Sequence, residues 1–414
     1  MPFTSGESAS TVLGVKDFVT DGSLASANQS NLPLPSGLAF DSSGNLWVSD
    51  STANRIVEFK APFTNGENES IVLGQPSFTT QSSPDDTANQ TDLNSPRGIT
   101  FDSSGNLWVA DNGYDRVVEF NAPFTNGEQE SMVIGQTNFT TGVQNIPGCP
   151  FSCTAQTSPN SLNGPSALAF DSSGNLWVAD SHGGRVLKFN SPLSSGDSAN
   201  LGLGVVDLNT VPGLFCIEGG PYCIGFPDAL AFDKSGSLWV NDDTNGRVLE
   251  FIQPFSTNES ATTVIGQPDF NTISPIAGPS AFNVSQSNMY GNDGVAFDPN
   301  GNLWVSDGGD NRVLEFSSSV AGSPTTSSSL STFSSSSSST PVSTSSTAAS
   351  PTTTTQQPTT QSTTSVSVTT PASSSSSASS STSISLNYLA VIAVVVLVMA
   401  TTFVVVMRHK QSTE

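Results

Sequence analysis

The stretch GLAFDSSGNLWVSDSTANRIVEF (Gly37–Phe59) decides the fold, because it occurs five times. It returns as GITFDSSGNLWVADNGYDRVVEF (Gly98–Phe120), ALAFDSSGNLWVADSHGGRVLKF (Ala167–Phe189), ALAFDKSGSLWVNDDTNGRVLEF (Ala229–Phe251) and GVAFDPNGNLWVSDGGDNRVLEF (Gly294–Phe316). The turn aspartates Asp41, Asp102, Asp171, Asp233 and Asp298 are 61, 69, 62 and 65 positions apart, a spacing that marks a repeat architecture. In the first copy Leu38-Ala39-Phe40 alternates faces and runs into Asp-Ser-Ser-Gly-Asn, where Asp caps its own backbone and Gly supplies positive φ. Leu46-Trp47-Val48 then alternates again, Asp50 to Asn54 turn, and Arg55–Phe59 gives a third strand. A fourth follows as IVLGQ (Ile71–Gln75), MVIGQ (Met132–Gln136), LGLGV (Leu201–Val205) and TVIGQ (Thr263–Gln267). Four antiparallel strands per repeat with no helical period predict an all-β propeller with five blades over residues 1–316.

The last copy stops after its third strand, while the chain begins with PFTSGESASTVLGV (Pro2–Val15), a match to the fourth-strand segment PFTNGENESIVLGQ (Pro62–Gln75). The expectation is that this N-terminal strand completes the last blade and closes the ring, removing an open sheet edge. The pattern D-x-x-G-N-L-W-V-x-D with N-R-V-x-x-F resembles the NHL repeat. That resemblance implies a β-propeller commonly of six blades, so a sixth in a longer reading frame is a second expectation. Related propellers include lactonases and lyases with a metal at the central channel, but this sequence offers no matching ligand set.

Every copy holds an Asp and an Arg five apart: Asp50/Arg55, Asp111/Arg116, Asp180/Arg185, Asp242/Arg247 and Asp307/Arg312. A catalytic site is normally built once per protein; a pair present in every blade reads as a structural ion pair that fixes the turn, rather than as a ligand site. The five tryptophans (Trp47, Trp108, Trp177, Trp239, Trp304) share one strand position and read as packing between blades, with sugar stacking as the alternative.

The chain has 12 Lys+Arg against 35 Asp+Glu, which argues against nucleic acid as a partner. Of two histidines, His409 lies near the C-terminus, leaving His182 as the single imidazole of the repeat region and a weak catalytic candidate, as a general base. Cys149 and Cys153, and Cys216 and Cys223, lie in two inserts; locality favours disulfides 149–153 and 216–223, with a Cys-only zinc site as the alternative. No cofactor is expected; Ca²⁺ held by carboxylates and carbonyls converging on one ring face is the alternative. Asn28, Asn68, Asn89, Asn138, Asn258 and Asn283 stand in N-x-S/T sequons, acceptors for N-glycosylation on an exported chain.

After Phe316 the composition changes. From Ser317 to Leu386 about two thirds of positions are Ser or Thr, and no charged residue occurs before Arg408. Residues 317–387 therefore read as a disordered, O-glycosylated stalk. Residues 388–407, Tyr388–Met407 (YLAVIAVVVLVMATTFVVVM), are uncharged and long enough to cross roughly 30 Å of hydrocarbon as one helix. Arg408 and Lys410 place the tail, 408–414, in the cytoplasm and the propeller outside. Met1–Thr20 carries no recognisable export leader, so the start is expected inside a longer frame, or else the head is cytoplasmic on a tail anchor. The reading is a single-pass cell-membrane protein of archaeal surface type. Its propeller binds a protein or glycan through inter-blade loops, Phe139–Asn163 and Asp207–Pro227 being the longest. An enzyme and a structural envelope component are the alternatives.

Overall fold

The computed structural model describes residues 8–20, 27–80, 88–140, 158–209, 219–272, 289 and 292–317. Its strands form five antiparallel sheets, each a blade in sequence order. The first blade is β1 (Pro35–Phe40), β2 (Leu46–Asp50), β3 (Arg55–Phe59) and β4 (Ile71–Leu73), the second β5 (Pro96–Phe101), β6 (Leu107–Asp111), β7 (Arg116–Phe120) and β8 (Met132–Ile134). The third is β9 (Pro165–Phe170), β10 (Leu176–Asp180), β11 (Arg185–Phe189) and β12 (Leu201–Leu203), the fourth β13 (Pro227–Phe232), β14 (Leu238–Asp242), β15 (Arg247–Phe251) and β16 (Thr263–Ile265). The fifth holds β17 (Asn292–Phe297), β18 (Leu303–Asp307) and β19 (Arg312–Phe316). The chain is thus an all-β, five-blade propeller.

Register is the same in every blade. Asp50 faces Arg55 and Leu46 faces Phe59 across β2 and β3, and the same pairing recurs from Asp111/Arg116 to Asp307/Arg312. The turn chemistry explains it. Asp41 Oδ1 accepts from the backbone N–H of Ser43 (2.8 Å) and Asn45 (2.9 Å), and Gly44 sits at φ +82°, where a side chain would be strained. The same aspartate receives the indole N–H of Trp47 at 3.3 Å, as Asp102, Asp171 and Asp233 receive those of Trp108, Trp177 and Trp239. One carboxylate therefore fixes both the turn and the rotamer of the largest side chain in the blade.

The core lies between blades. Trp108, Val117 and Ile134 of blade 2 pack with Leu168, Val178 and Phe189 of blade 3, and equivalent clusters join blades 1 and 2, 3 and 4, and 4 and 5. First strands approach one another closely at the inner edge: a Cβ on Gly98 would stand 2.5 Å from Ser166 O in the next blade.

The expected closure of the ring is not what the described residues show. The sheet of β17, β18 and β19 has three strands, and β17 makes no contact with β1 comparable to that between other successive first strands. Residues 12–14 are instead tied to blade 1. Val12 O accepts from Gly66 N (3.1 Å) and Gly14 O from Leu32 N (3.1 Å), as Val72 O accepts from Gly127 N and Gly74 O from Leu93 N one blade later. Leu13 packs on the cluster of Val48, Val57, Phe59 and Val72. The segment thus lies against blade 1 as each fourth strand lies against the following blade, and it pairs with no strand among the described residues.

Cys149, Cys153, Cys216, Asn283 and the proposed stalk, membrane span and tail (beyond Ser317) lie outside the described residues, as do residues 141–157 and 210–218 of the two long inserts. No helix among the described residues is long and apolar enough to cross a membrane.

Candidate binding site at the inner rim

The repeated Asp/Arg pairs are occupied internally. Arg116 Nε donates to Asp111 Oδ2 (2.7 Å), while its terminal nitrogens reach Asn89 O and Phe139 O (3.1 Å each), Asp92 O (2.8 Å) and Glu130 Oε1 (2.8 Å). Arg55, Arg185 and Arg247 bind Asp50, Asp180 and Asp242 at 3.2, 2.7 and 2.9 Å. Each also clasps carbonyls from the loop entering its blade and from the loop leaving it, as with Asn31 O and Phe78 O for Arg55. The other oxygen of each aspartate accepts a backbone N–H, that of Leu34, Asn94, Asn163 or Gly225. Arg312 binds Asp307 (2.7 Å) and is 23% exposed, being on the last sheet. Burial pushes Asp50 and Asp180 up and Asp111 up to about 6, against the pull of their arginines.

Two further carboxylates were not foreseen. Glu69 faces the Arg55 fork with both oxygens at 3.0 Å, and Glu130 occupies the same place in blade 2. Burial pushes Glu69 up to about 8 and Glu130 well above its ordinary range. Ala199 and Ala261 stand at this position in blades 3 and 4, so the signal was the Glu/Glu/Ala/Ala alternation two residues before each fourth strand.

What differs between blades gathers at one end of the first strands, beside the framework aspartates. The residue after the strand-initial Pro or Asn is Ser36, Arg97, Ser166, Asp228 and Asp293 in turn; the residue after the framework Asp is Ser51, Asn112, Ser181, Asp243 and Gly308. These two series meet across blade junctions. Ser51 Oγ donates to Pro96 O (2.6 Å), Asn112 Nδ2 to Pro165 O (3.0 Å), Ser166 Oγ to Pro227 O (2.8 Å) and Ser181 Oγ to Asp228 Oδ1 (2.9 Å). Asp243 is pushed up to about 7, first by burial and then by the charges of Asp228, Asp293 and Asp242. Arg97 is exposed. The rim thus carries a cation on blade 2 and three neighbouring carboxyls on blades 4 and 5, an arrangement suited to a polar partner with separated charges.

His182 joins this rim. It is exposed, its ring lies edge-on to Phe226 at 5.8 Å, and its Nδ1 lies so close to Gly164 that a Cβ there would collide with it. Its pKa is lowered first by the loss of water where the ring packs on Gly164 and Phe226 and then by the charge of Arg97, while Asp180 and Asp228 oppose them. Its side chain makes no hydrogen bond to a carboxylate among the described residues, though the charges of Asp180 and Asp228 act on it. No three His, Cys, Asp or Glu among the described residues are placed to share a metal ion.

Trp47, Trp108 and Trp177 are fully buried against the next blade, and Trp304 is part-exposed. Cys223 is buried and not a free thiol, its expected partner Cys216 lying outside the described residues. Of the sequon asparagines, Asn68, Asn138 and Asn258 are exposed, while Asn28 and Asn89 are half-buried with their side-chain oxygens accepting from Ser30 and Thr91.

The NHL repeat model matches residues 32–59, 93–120 and 162–189, so the chain carries NHL repeats. Among solved structures, the chain is similar to a virginiamycin B lyase from Staphylococcus aureus with quinupristin (12% identity, 71% of this chain and 88% of that one, TM-score 0.38). It is also similar to a gluconolactonase from Xanthomonas campestris (15%, 72% and 82%, 0.37) and to a nidogen/laminin complex (17%, 69% and 77%, 0.41).

Proposed function

We propose that this chain is a binding scaffold, in which a rigid NHL propeller presents the inner rim and adjoining loops to a protein or glycan partner. The observation that carries this is the division of labour between positions: the repeated Asp, Arg and Trp of blades 1–4 are occupied inside the blades, while blade-specific Arg97, His182, Asp228, Asp243 and Asp293 meet at one rim. We further propose that residues 317–387 form a glycosylated stalk and Tyr388–Met407 an anchor, with the propeller outside the cell, on the strength of composition alone.

Binding of the purified chain to glycan and surface-protein arrays tests the reading. Arg97→Ala and the double change Asp228→Asn/Asp293→Asn should each weaken a captured partner at least about tenfold, the loss of roughly 1.4 kcal/mol, with thermal melting unchanged. Binding that survives both changes places the interface elsewhere. Protease added to intact cells should cleave the propeller without lysis; protection until lysis removes the surface topology. A second reading, acid–base catalysis at the rim, draws on Asp243, whose pKa of about 7 suits proton transfer near neutrality. Turnover of a lactone or cyclic ester that Asp243→Asn abolishes would favour it.

A further inference from the structure

Between blades 1 and 2, and again between blades 3 and 4, three aromatic rings meet. Trp47 has Phe101 edge-on at 6.0 Å and Phe124 at 4.6 Å, and Trp177 has Phe232 at 5.9 Å and Phe255 at 4.8 Å. Phe124 and Phe255 close each triangle, at 6.3 and 6.5 Å from the other phenyl ring. Both stand four residues after the Phe that ends a third strand, Phe120 and Phe251. Between blades 2 and 3 that position is Leu193, which packs on the cluster holding Trp108. Under these covers Trp47, Trp108 and Trp177 are 0–2% exposed.

Between blades 4 and 5 the described residues supply two of the three rings. Trp239 stands edge-on to Phe297 at 5.8 Å, and it is only half-buried. Beside both rings lies a cavity of about 290 Å³, walled by Trp239, Phe297, Ile265, Leu303 and Phe316. Four residues after Phe316 the sequence carries Val320, a side chain without a ring. Asp233 and Lys234 form the polar edge of the cavity. Asp233 accepts the indole N–H of Trp239 (3.1 Å) and the backbone N–H of Ser235 (2.8 Å), while Lys234, which is exposed, donates from Nζ to Pro299 O. This is the turn end of β13; Asp228 of the rim lies at the other end of that strand, so the cavity is separate from the rim and nothing said of it rests on the rim.

We infer that this cavity is a binding site for a small molecule carrying a single aromatic ring, which takes on Trp239 the place that Phe124 and Phe255 take on Trp47 and Trp177. Its volume stands at the lower bound of the roughly 300–1,000 Å³ usual for small-molecule sites, which limits the ligand to one ring and its substituent. The apolar walls favour any ring of that size by burial. Trp239 and Phe297 add a preference for an aromatic one, because edge-to-face contact needs a ring quadrupole that a saturated ring lacks. A hydroxyl or similar polar group on the ring would face out on the side of Lys234.

The test uses the full chain labelled with fluorotryptophan, which gives each tryptophan its own fluorine resonance; Trp239→Phe assigns that of Trp239. Phenol should move the Trp239 resonance saturably and leave those of Trp47, Trp108 and Trp177 in place. Cyclohexanol, of the same size, should need at least about threefold more to do the same. Val320→Phe should abolish the response by supplying the ring from the chain itself, and Phe255→Ala should open the equivalent place on Trp177 and make its resonance respond as well. A Trp239 resonance that does not move overturns the inference, as does an unsaturable drift of every resonance or equal potency of cyclohexanol. So does a response seen only in Val320→Gly, which would make Val320 the cover, or one seen only when dilution removes a dimer from the native mass spectrum, which would make the cover a second copy.

Discussion

Arg116 sits between Asp111 and Glu130 with no access to water, and removing it would leave two buried carboxyls with no cation. Arg116→Ala should therefore destabilise by about 3–5 kcal/mol in urea melts. Glu130→Ala should cost less than about 1 kcal/mol, because Arg116 keeps Asp111 and three carbonyls, and blades 3 and 4 already hold Ala199 and Ala261 there. The raised carboxyls also fix the pH response. Glu69 (about 8, ordinarily 4.5), Asp243 (about 7) and Asp111 (about 6, both ordinarily 3.8) bind protons more tightly when folded, so their contribution is complete below the ordinary values and lost as pH rises through the folded ones. Asp41, Asp171, Asp233 and Asp298 are held low, the first three by hydrogen bonds that outweigh burial, and their contribution is lost as pH falls through the carboxylate range. Stability should rise between pH 8 and about 5 by enough to lift the melting temperature at least about 2 °C, then fall in stronger acid. A scan that climbs steadily from pH 5 to 8 would contradict this assignment.

Within a blade, two glycines separate strain from space. Gly105 lies at φ +85° with nothing near its missing side chain, so Gly105→Ala should cost about 1–2 kcal/mol from backbone conformation alone. Gly98 has no such φ but faces Ser166 O, so Gly98→Ala should cost about 1–3 kcal/mol by forcing first strands apart. Partial recovery on adding Gly105→Asn, but not Gly98→Ser, in urea melts would separate the two causes, since Asn tolerates the left-handed region. Strand positions were legible because alternation and turn residues act over a few neighbours: Leu46–Val48 and Arg55–Phe59 read correctly, and the fourth strands were cut short by the positive φ of Gly74 and Gly135. The Asp/Arg framework was legible by repetition. The rim was not, because Arg97, His182, Asp228 and Asp293 are far apart in sequence and meet only through the packing of separate blades.

Across the whole molecule, each fourth strand belongs by hydrogen bonds to one blade and by its connector contacts to the next, as Val72 pairs with Val57 while its carbonyl accepts from Gly127. Arg55 likewise draws on carbonyls before β1 and after β4. Pulling any interior sheet out of the arc would strip bonds from both neighbours, so heat should melt the blades in a single calorimetric transition with equal van't Hoff and calorimetric enthalpies. Sheet by sheet, the molecule resembles overlapping roof tiles, each pinned under the next. Damage by oxidation or proteolysis should therefore start at the eaves, where Trp304 and Phe40 lie uncovered, and leave the middle courses standing until the outermost has lifted.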